Sequence, residues 1–215
     1  MDTLELLRSR LGEKPARLGV MGGGFDPVHI GHLAAAEQAL EQFRLDCVVF
    51  VPTGTPPHKR GFVTPAELRY LMVAVATAGH PRFWVSRCEI DNPATDYTVE
   101  TMGHLRRLLG SAAELFFITG ADAVLEIMTW REPERLLSLC SVIAATRPGY
   151  DLTHLDRLQK QLAGGERIVP MNIPGLAVSS TVLRQRVADG HTIRYLVPRE
   201  VEDLIVKWGL YAPRG

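Results

Sequence analysis

The sequence predicts an α/β fold: a doubly wound parallel sheet with helices on both of its faces, in a single domain. Three observations carry this prediction. Apolar runs without polar alternation, such as Cys47-Val-Val-Phe-Val-Pro52, recur along the chain, as in parallel strands covered on both sides. Stretches between them place apolar residues three and four apart, as in helices that pack by one face. A length of 215 residues suffices for one well-buried α/β domain and is short for two.

Taken in order, residues 1–14 show helical periodicity at Leu4, Leu7 and Leu11 before Pro15 punctuates, and residues 1–16 are expected to form a loose extension ahead of a domain at 17–215. A first strand at 17–21 leads through glycines into a helix from near His29, with Leu33, Ala36, Leu40 and Phe43 on its buried side. The second strand is 47–52, so the chain opens β-α-β. Residues 65–78 read as a helix with Pro65 at a tolerated first position and Leu68, Leu71, Met72 and Val75 on one side. A short strand at 82–90 precedes a helix running to 109, where Thr98 and Thr101 read as capping residues. Strands follow at 114–119, 141–146 and 167–173. The first of these runs into a helix at whose start Asp122 reads as an N-cap; a polar-faced helix at 152–162 separates the other two. The chain closes with a helix capped by Ser179 or Ser180 and ended at Asp189-Gly190, then another at 200–208.

Composition bounds the function classes. Hydrophobic residues at 46% and charged residues at 22% are ordinary globular usage. Lys plus Arg equals Asp plus Glu at 24 each, which excludes a general polycation holding nucleic acid by counterion release but leaves room for a local basic pocket. Apolar segments fall far below the ~20 residues that cross a bilayer, and the N-terminal residues lack the apolar centre of a signal peptide. A cytoplasmic protein with no membrane partner is expected. Cys47, Cys88 and Cys140 are widely spaced among mostly apolar neighbours, which suits reduced core thiols better than a disulfide frame or a zinc site.

The chemistry concentrates in Met21-Gly-Gly-Gly-Phe-Asp-Pro-Val-His-Ile-Gly-His32. Consecutive glycines let backbone approach a ligand closely and adopt positive φ. The helix behind them offers free N–H groups and a positive dipole end, which favour an anion. His29 and His32, three apart on its first turn, can share one face as donors to phosphate oxygens. Two familiar phosphate loops are excluded: Pro27 stands where a dinucleotide fingerprint needs its last glycine, and no G-x-x-x-x-G-K-[ST] occurs. Downstream, Thr53-Gly-Thr-Pro-Pro-His58-Lys59-Arg60 follows the second strand at the sheet end where such folds place ligands; by composition alone it is a solvated basic loop. Leu176-Ala-Val-Ser179-Ser180-Thr181-Val-Leu-Arg184 opens another helix whose free amides, with the Thr181 hydroxyl and Arg184, could cradle phosphate again.

The pattern Gly22-Gly23-x-Phe25-Asp26-Pro27-x-His29-x-Gly31-His32 resembles the signature of the nucleotidyltransferase superfamily that shares H-x-G-H with class I aminoacyl-tRNA synthetases. Within it the chain is most similar to the bacterial nicotinate-nucleotide adenylyltransferases, whose fold is Rossmann-like. Ser179-Ser180-Thr181-x-Leu183-Arg184 in the same order is similar to the family's second nucleotide motif, and the likeness extends over nearly the whole chain from Leu18. One position departs: Gly24 stands where the family usually has Ser or Thr.

The resemblance implies roles residue by residue. His29 and His32 would stabilise the transferring phosphate, and Lys59 and Arg184 the leaving triphosphate end. Gly22, Gly23, Gly24, Phe25, His58, Ser180 and Thr181 would bind ATP. Tyr97, Thr98, Gly120, Asp122 and Trp130 would hold a pyridine mononucleotide, Trp130 by stacking. The implied reaction is direct in-line attack of nicotinate mononucleotide on the ATP α-phosphate. No metal-ligating residue is assigned; Mg²⁺ is expected on the phosphates, keeping several waters. The expected partners are these two small molecules and no nucleic acid, with a homo-oligomer left open. Competing readings are a nicotinamide or pantetheine-phosphate transferase of the same fold, or a nucleotide-binding regulator without catalysis.

Overall fold

A computed structural model of the protein describes residues 3–12, 16–54, 64–92 and 97–213. Helix α1 (Thr3–Leu11) precedes strand β1 (Arg17–Gly23), helix α2 (Ile30–Gln42) and strand β2 (Cys47–Pro52). Helix α3 (Ala66–Thr77), strand β3 (Phe83–Val85), the helical turn α4 (Cys88–Asp91) and helix α5 (Thr98–Leu109) follow. The second half contains β4 (Glu114–Gly120), α6 (Ala121–Leu125), α7 (Pro133–Leu139), β5 (Ser141–Thr146), α8 (Thr153–Gln161), β6 (Ile168–Asn172), α9 (Ser180–Ala188) and α10 (Arg199–Lys207).

All the pairings are parallel, in one 6-stranded sheet of order β3-β2-β1-β4-β5-β6. This is the doubly wound, Rossmann-like order that the sequence predicts. The chain winds outward from β1 in one direction and from β4 in the other, so the carboxyl ends of β1 and β4 form the switch point where such sheets bind ligands. Along β2 the side chains alternate between faces: Val49 and Val51 join a core with Leu18, Val20, Met102 and Leu105, while Val48 and Phe50 join another with Ala36, Leu40 and Met72. Both faces are dry, which is why the strand reads as a continuous apolar run. Cys47 and Cys140 are buried free thiols, and burial pushes both up to about 12. Among the described residues no helix is long and apolar enough to cross a membrane.

The structure departs from the sequence expectations in four places. The N-terminal helix is not loose: Leu4 and Leu7 are 1% and 2% exposed within the core that β1 and α5 share. The buried stripe of α2 consists of Ala35, Ala36, Ala39 and Leu40, with Leu33 and Phe43 only partly covered. Small side chains line its covered face, so the stripe is displaced from the larger residues. On α3 the buried residues are Arg69, Met72, Val73 and Thr77, while Leu71 is 36% exposed; a buried arginine has no place in an apolar pattern. Of the strand expected at 82–90 only Phe83–Val85 pairs. Beyond it Arg87 bonds Asp91 at 2.9 Å and Glu67 at 2.8 Å, which favours the helical turn α4 over extended chain.

Candidate functional site

The turn between β1 and α2 places both histidines at the switch point. His29 is the N-cap of α2 and His32 lies one turn on; their rings stack with centroids 3.7 Å apart. The backbone N–H of His29 donates to Nδ1 of His32 at 3.2 Å. A neutral imidazole that accepts at Nδ1 carries its proton on Nε2, so His32 is left with one free N–H donor. Burial lowers the His29 pKa from 6.5 to about 4. The His32 pKa also falls well below 6.5, first through burial and then through the neighbouring His29. Both rings are therefore neutral donors near pH 7. Nδ1 of His29 is buried and has no hydrogen-bond partner among the described residues.

Glycines act here by making room. None of Gly22, Gly23 and Gly24 adopts positive φ; Phe25 does, at 47°. A Cβ on Gly22 would sit 3.2 Å from the Phe117 ring, and one on Gly31 would meet the His29 ring at 3.1 Å and Val178 at 3.0 Å. Gly31 is thus what allows His29 to lie flat over the start of α2. Phe25 is 2% exposed and meets the His32 ring edge-on at 5.0 Å. Its side chain supports the imidazole from below and leaves only its backbone for a ligand.

Two cavities flank the end of β1. The larger, about 410 Å³, is lined by Gly22, His29, His32, Gly120, Asp122 and, among others, Arg147 and Tyr150. A second, about 170 Å³, lies between Gly22, Gly23, Thr53, Glu89, Thr98, Thr101 and Phe117. Gly22 borders both. The set of residues expected around a pyridine ring is thereby divided: Gly120 and Asp122 face the histidines, whereas Thr98 lines the smaller space. Trp130 is half-buried, edge-on to Phe117 at 5.9 Å, and Arg131 lies over the Tyr97 ring at 4.8 Å.

The second motif docks on the first. Ser179 is the N-cap of α9, its Oγ accepting from Val182 N–H at 3.3 Å. Ser180 Oγ donates to the carbonyl of Pro27 at 2.9 Å, and Arg184 Nη1 to the carbonyl of Asp26 at 2.7 Å. Arg184 Nη2 lies 3.4 Å from Thr181 Oγ1. A guanidinium has five N–H donors, so Arg184 retains donors for an anion. The Asp26 side chain is held in turn: its Oδ1 accepts from the Tyr211 hydroxyl at 2.6 Å and its Oδ2 from Thr64 N–H at 3.3 Å. Burial, and then the Asp26 carboxylate, push the Tyr211 pKa upward.

Capping roles also differ from expectation. Tyr97 is the N-cap of α5, and Thr101 donates instead to Glu89 Oε1 at 2.7 Å. Gly120 is the N-cap of α6, and Asp122 in its first turn stands near Tyr150, whose pKa is raised first by burial and then by that carboxylate. Arg147 and Tyr150 escaped the sequence reading although they leave the carboxyl end of a strand; that position was the available signal. Glu89 gave none. His58 and Lys59 lie outside the described residues. Among the described residues there is no group of three or more His, Cys, Asp or Glu suited to hold a metal.

The sequence matches the Cytidylyltransferase-like family over residues 20–186. It is 50% identical to a Moorella thermoacetica protein named "Probable nicotinate-nucleotide adenylyltransferase", with 94% of each chain covered. A Thermoanaerobacter sp. protein of the same name is 46% identical, with 93% of this chain and 96% of that one covered. Among solved structures, Plasmodium falciparum nicotinic acid mononucleotide adenylyltransferase complexed with NaAD superposes with a TM-score of 0.75. That match covers 91% of this chain and 97% of that chain at 18% identity, a likeness of fold.

Proposed function

The chain belongs to the Cytidylyltransferase-like family and to the nicotinate-nucleotide adenylyltransferases, and from this we propose that it joins nicotinate mononucleotide to ATP, giving deamido-NAD and pyrophosphate in NAD biosynthesis. The observation that carries the reading is the docking of α9 on the turn before α2, which sets Arg184 against Asp26 beside a cavity lined by His29 and His32. The start of α9 and the turn before α2, distant in sequence, are in contact, and we read them as two anion cradles.

The 5′-phosphate of the mononucleotide attacks the α-phosphorus in line, and the bond to the departing pyrophosphate oxygen breaks. No proton need be removed from the nucleophile and no covalent enzyme intermediate forms. The protein's work is to hold two anions at short range and to stabilise the charge that shifts onto the α-phosphate and the leaving oxygen. His32 and His29 donate neutral N–H groups to the α-phosphate. Arg184, and Lys59 by family resemblance, neutralise the triphosphate end. Ser180 and Thr181 offer the start of α9 to phosphate, while Gly22 to Gly24 supply close-approaching backbone. His58 is assigned to the triphosphate on the same family pattern. Gly120 and Asp122 serve a nucleotide in the larger cavity; Thr98, Tyr97 and Trp130 serve the pyridine side. Mg²⁺ carried on the ATP phosphates, keeping several waters, would supply further charge neutralisation there. The cytoplasm, where the reduced thiols are stable, is the place for this reaction.

The test compares nicotinate mononucleotide with nicotinamide mononucleotide at saturating ATP, measuring dinucleotide and pyrophosphate. The acid is expected to turn over faster by at least tenfold, because an amide sets its own donors against backbone donors and leaves buried groups unpaired. Equal rates would remove the acid specificity; no pyrophosphate from either would remove the activity.

A further inference from the structure

Arg69 is 1% exposed and touches neither cavity, yet among the described residues the acceptors of its guanidinium are all backbone carbonyls drawn from around the site. Nη1 donates to Gly24 at 2.8 Å, in the glycine turn. Nη2 donates to Thr53 at 2.6 Å and Gly54 at 2.8 Å, just beyond β2. Nε donates to Thr64 at 2.9 Å, ahead of α3. Thr64 in turn donates its N–H to Asp26, the residue whose carbonyl receives Arg184. A buried cation that makes no direct salt bridge among the described residues is costly to desolvate even with Asp26 and Glu89 near enough to favour its charge, and packing alone would be served as well by a methionine. What the methionine cannot supply is a planar fork whose separate donors bind several chain segments at once.

We propose that Arg69 is a positioning residue for nucleotidyl transfer: it fixes the glycine turn of β1 to the chain on both sides of residues 55–63, so the backbone that meets the phosphates keeps one geometry. The inference rests on the transferase reading. The loss of alignment should fall on the transition state, since a displacement of about 1 Å from the productive arrangement costs on the order of a hundredfold in rate.

The experiment compares the full-length wild type with Arg69→Met, Arg69→Lys and Arg69→Ala, using steady-state kinetics, thermal unfolding and amide hydrogen exchange. Arg69→Met, folded at the assay temperature, is expected to lose about a hundredfold in kcat, with KM for both substrates within about threefold. Arg69→Lys should recover less than a tenth of the wild-type kcat, because one ammonium cannot span carbonyls that three nitrogens reach. Millimolar methylguanidinium should raise kcat of Arg69→Ala at least tenfold. A folded Arg69→Met with kcat within threefold of wild type overturns the proposal, as does a loss that merely follows the unfolded fraction. If Arg69→Met does not fold, Arg69→Lys is judged by the same threefold criterion. Hydrogen exchange in the peptides containing residues 22–26 and 53–54 reads the clamp without turnover. It is expected to quicken at least tenfold in the variants with the rest of the sheet unchanged, and unaltered protection there overturns the clamp. A wild type inactive in the transfer assay removes the transferase reading, and the exchange experiment still decides whether Arg69 holds these segments together.

Discussion

In the proposed mechanism His32 donates to the reacting phosphate, and its environment makes the consequence of losing it specific. Its Nδ1 is occupied by the His29 backbone N–H, and Phe25 supports its ring from below. A single neutral donor is therefore aimed by contacts of its own ring, which an alanine removes together with the donor. His32→Ala is expected to fold normally and to lose on the order of a hundredfold to a thousandfold in kcat, the scale on which one oxyanion donor counts. Stopped-flow or steady-state turnover with unchanged circular dichroism checks this, and near-wild-type turnover would refute the role. Gly24 makes the opposite case. It lies outside the positive-φ residues, and its carbonyl, which any residue keeps, is the part that binds Arg69. Gly24→Thr should leave kcat within a few fold of wild type or raise it, by restoring the hydroxyl usual in the family. Gly31→Ala, in contrast, puts a methyl against the His29 ring and Val178, and turnover should fall at least tenfold. A Gly31→Ala enzyme at full rate would mean that the His29 ring position is not required.

At the scale of elements, what the sequence revealed and what it hid divide along a physical line. The β1–α2 turn and the start of α9 were both legible as turns into helices because each is a local string whose residue types mark a helix start. The Arg69 contacts were not, since its acceptors are main-chain carbonyls, which every residue carries. The Tyr211–Asp26 bond joins positions 185 apart, and no spacing rule reaches that far. The capping roles expected of Thr101 and Asp122 failed for a related reason: a residue that suits a helix start can also face a neighbour across space, and in the fold Glu89 and Tyr150 supplied those neighbours. Helix α1 was legible as a helix but not as part of the core, because a periodicity of leucines does not say what it packs against. Leu7→Ala should accordingly cost about 2–5 kcal/mol of stability, measured by urea unfolding, while kcat per folded molecule stays at the wild-type value. A stability change below about 1 kcal/mol would show that α1 is dispensable to the core.

At the scale of the whole molecule, the burial of two histidines makes the stability of the fold depend on pH. The sheet's switch point brings β1, β4 and the start of α2 around two stacked imidazoles, and their enclosure is what holds both pKa values down. In the unfolded chain a histidine binds its proton near pH 6.5; in the fold His29 does so only near 4. Between these values the unfolded state holds more protons, so the stability must fall as pH drops from about 6.5 to about 4 and is unaffected by these groups above that window. A pKa unit corresponds to about 1.4 kcal/mol, so His29 alone accounts for a loss of up to about 3 kcal/mol across the window. Thermal or urea unfolding from pH 7.5 to 4.5 should show this slope, and His29→Asn should flatten it while reducing turnover. ATP should oppose it as well: an anion beside the rings favours their protonated forms, so binding near pH 5.5 is expected to take up protons and the liganded protein to lose less stability on acidification. Calorimetry in two buffers of different ionisation enthalpy measures that uptake. A slope that persists unchanged in His29→Asn, with no proton uptake on ATP binding, would place the acid sensitivity elsewhere in the fold and separate the histidine pair from the phosphate site.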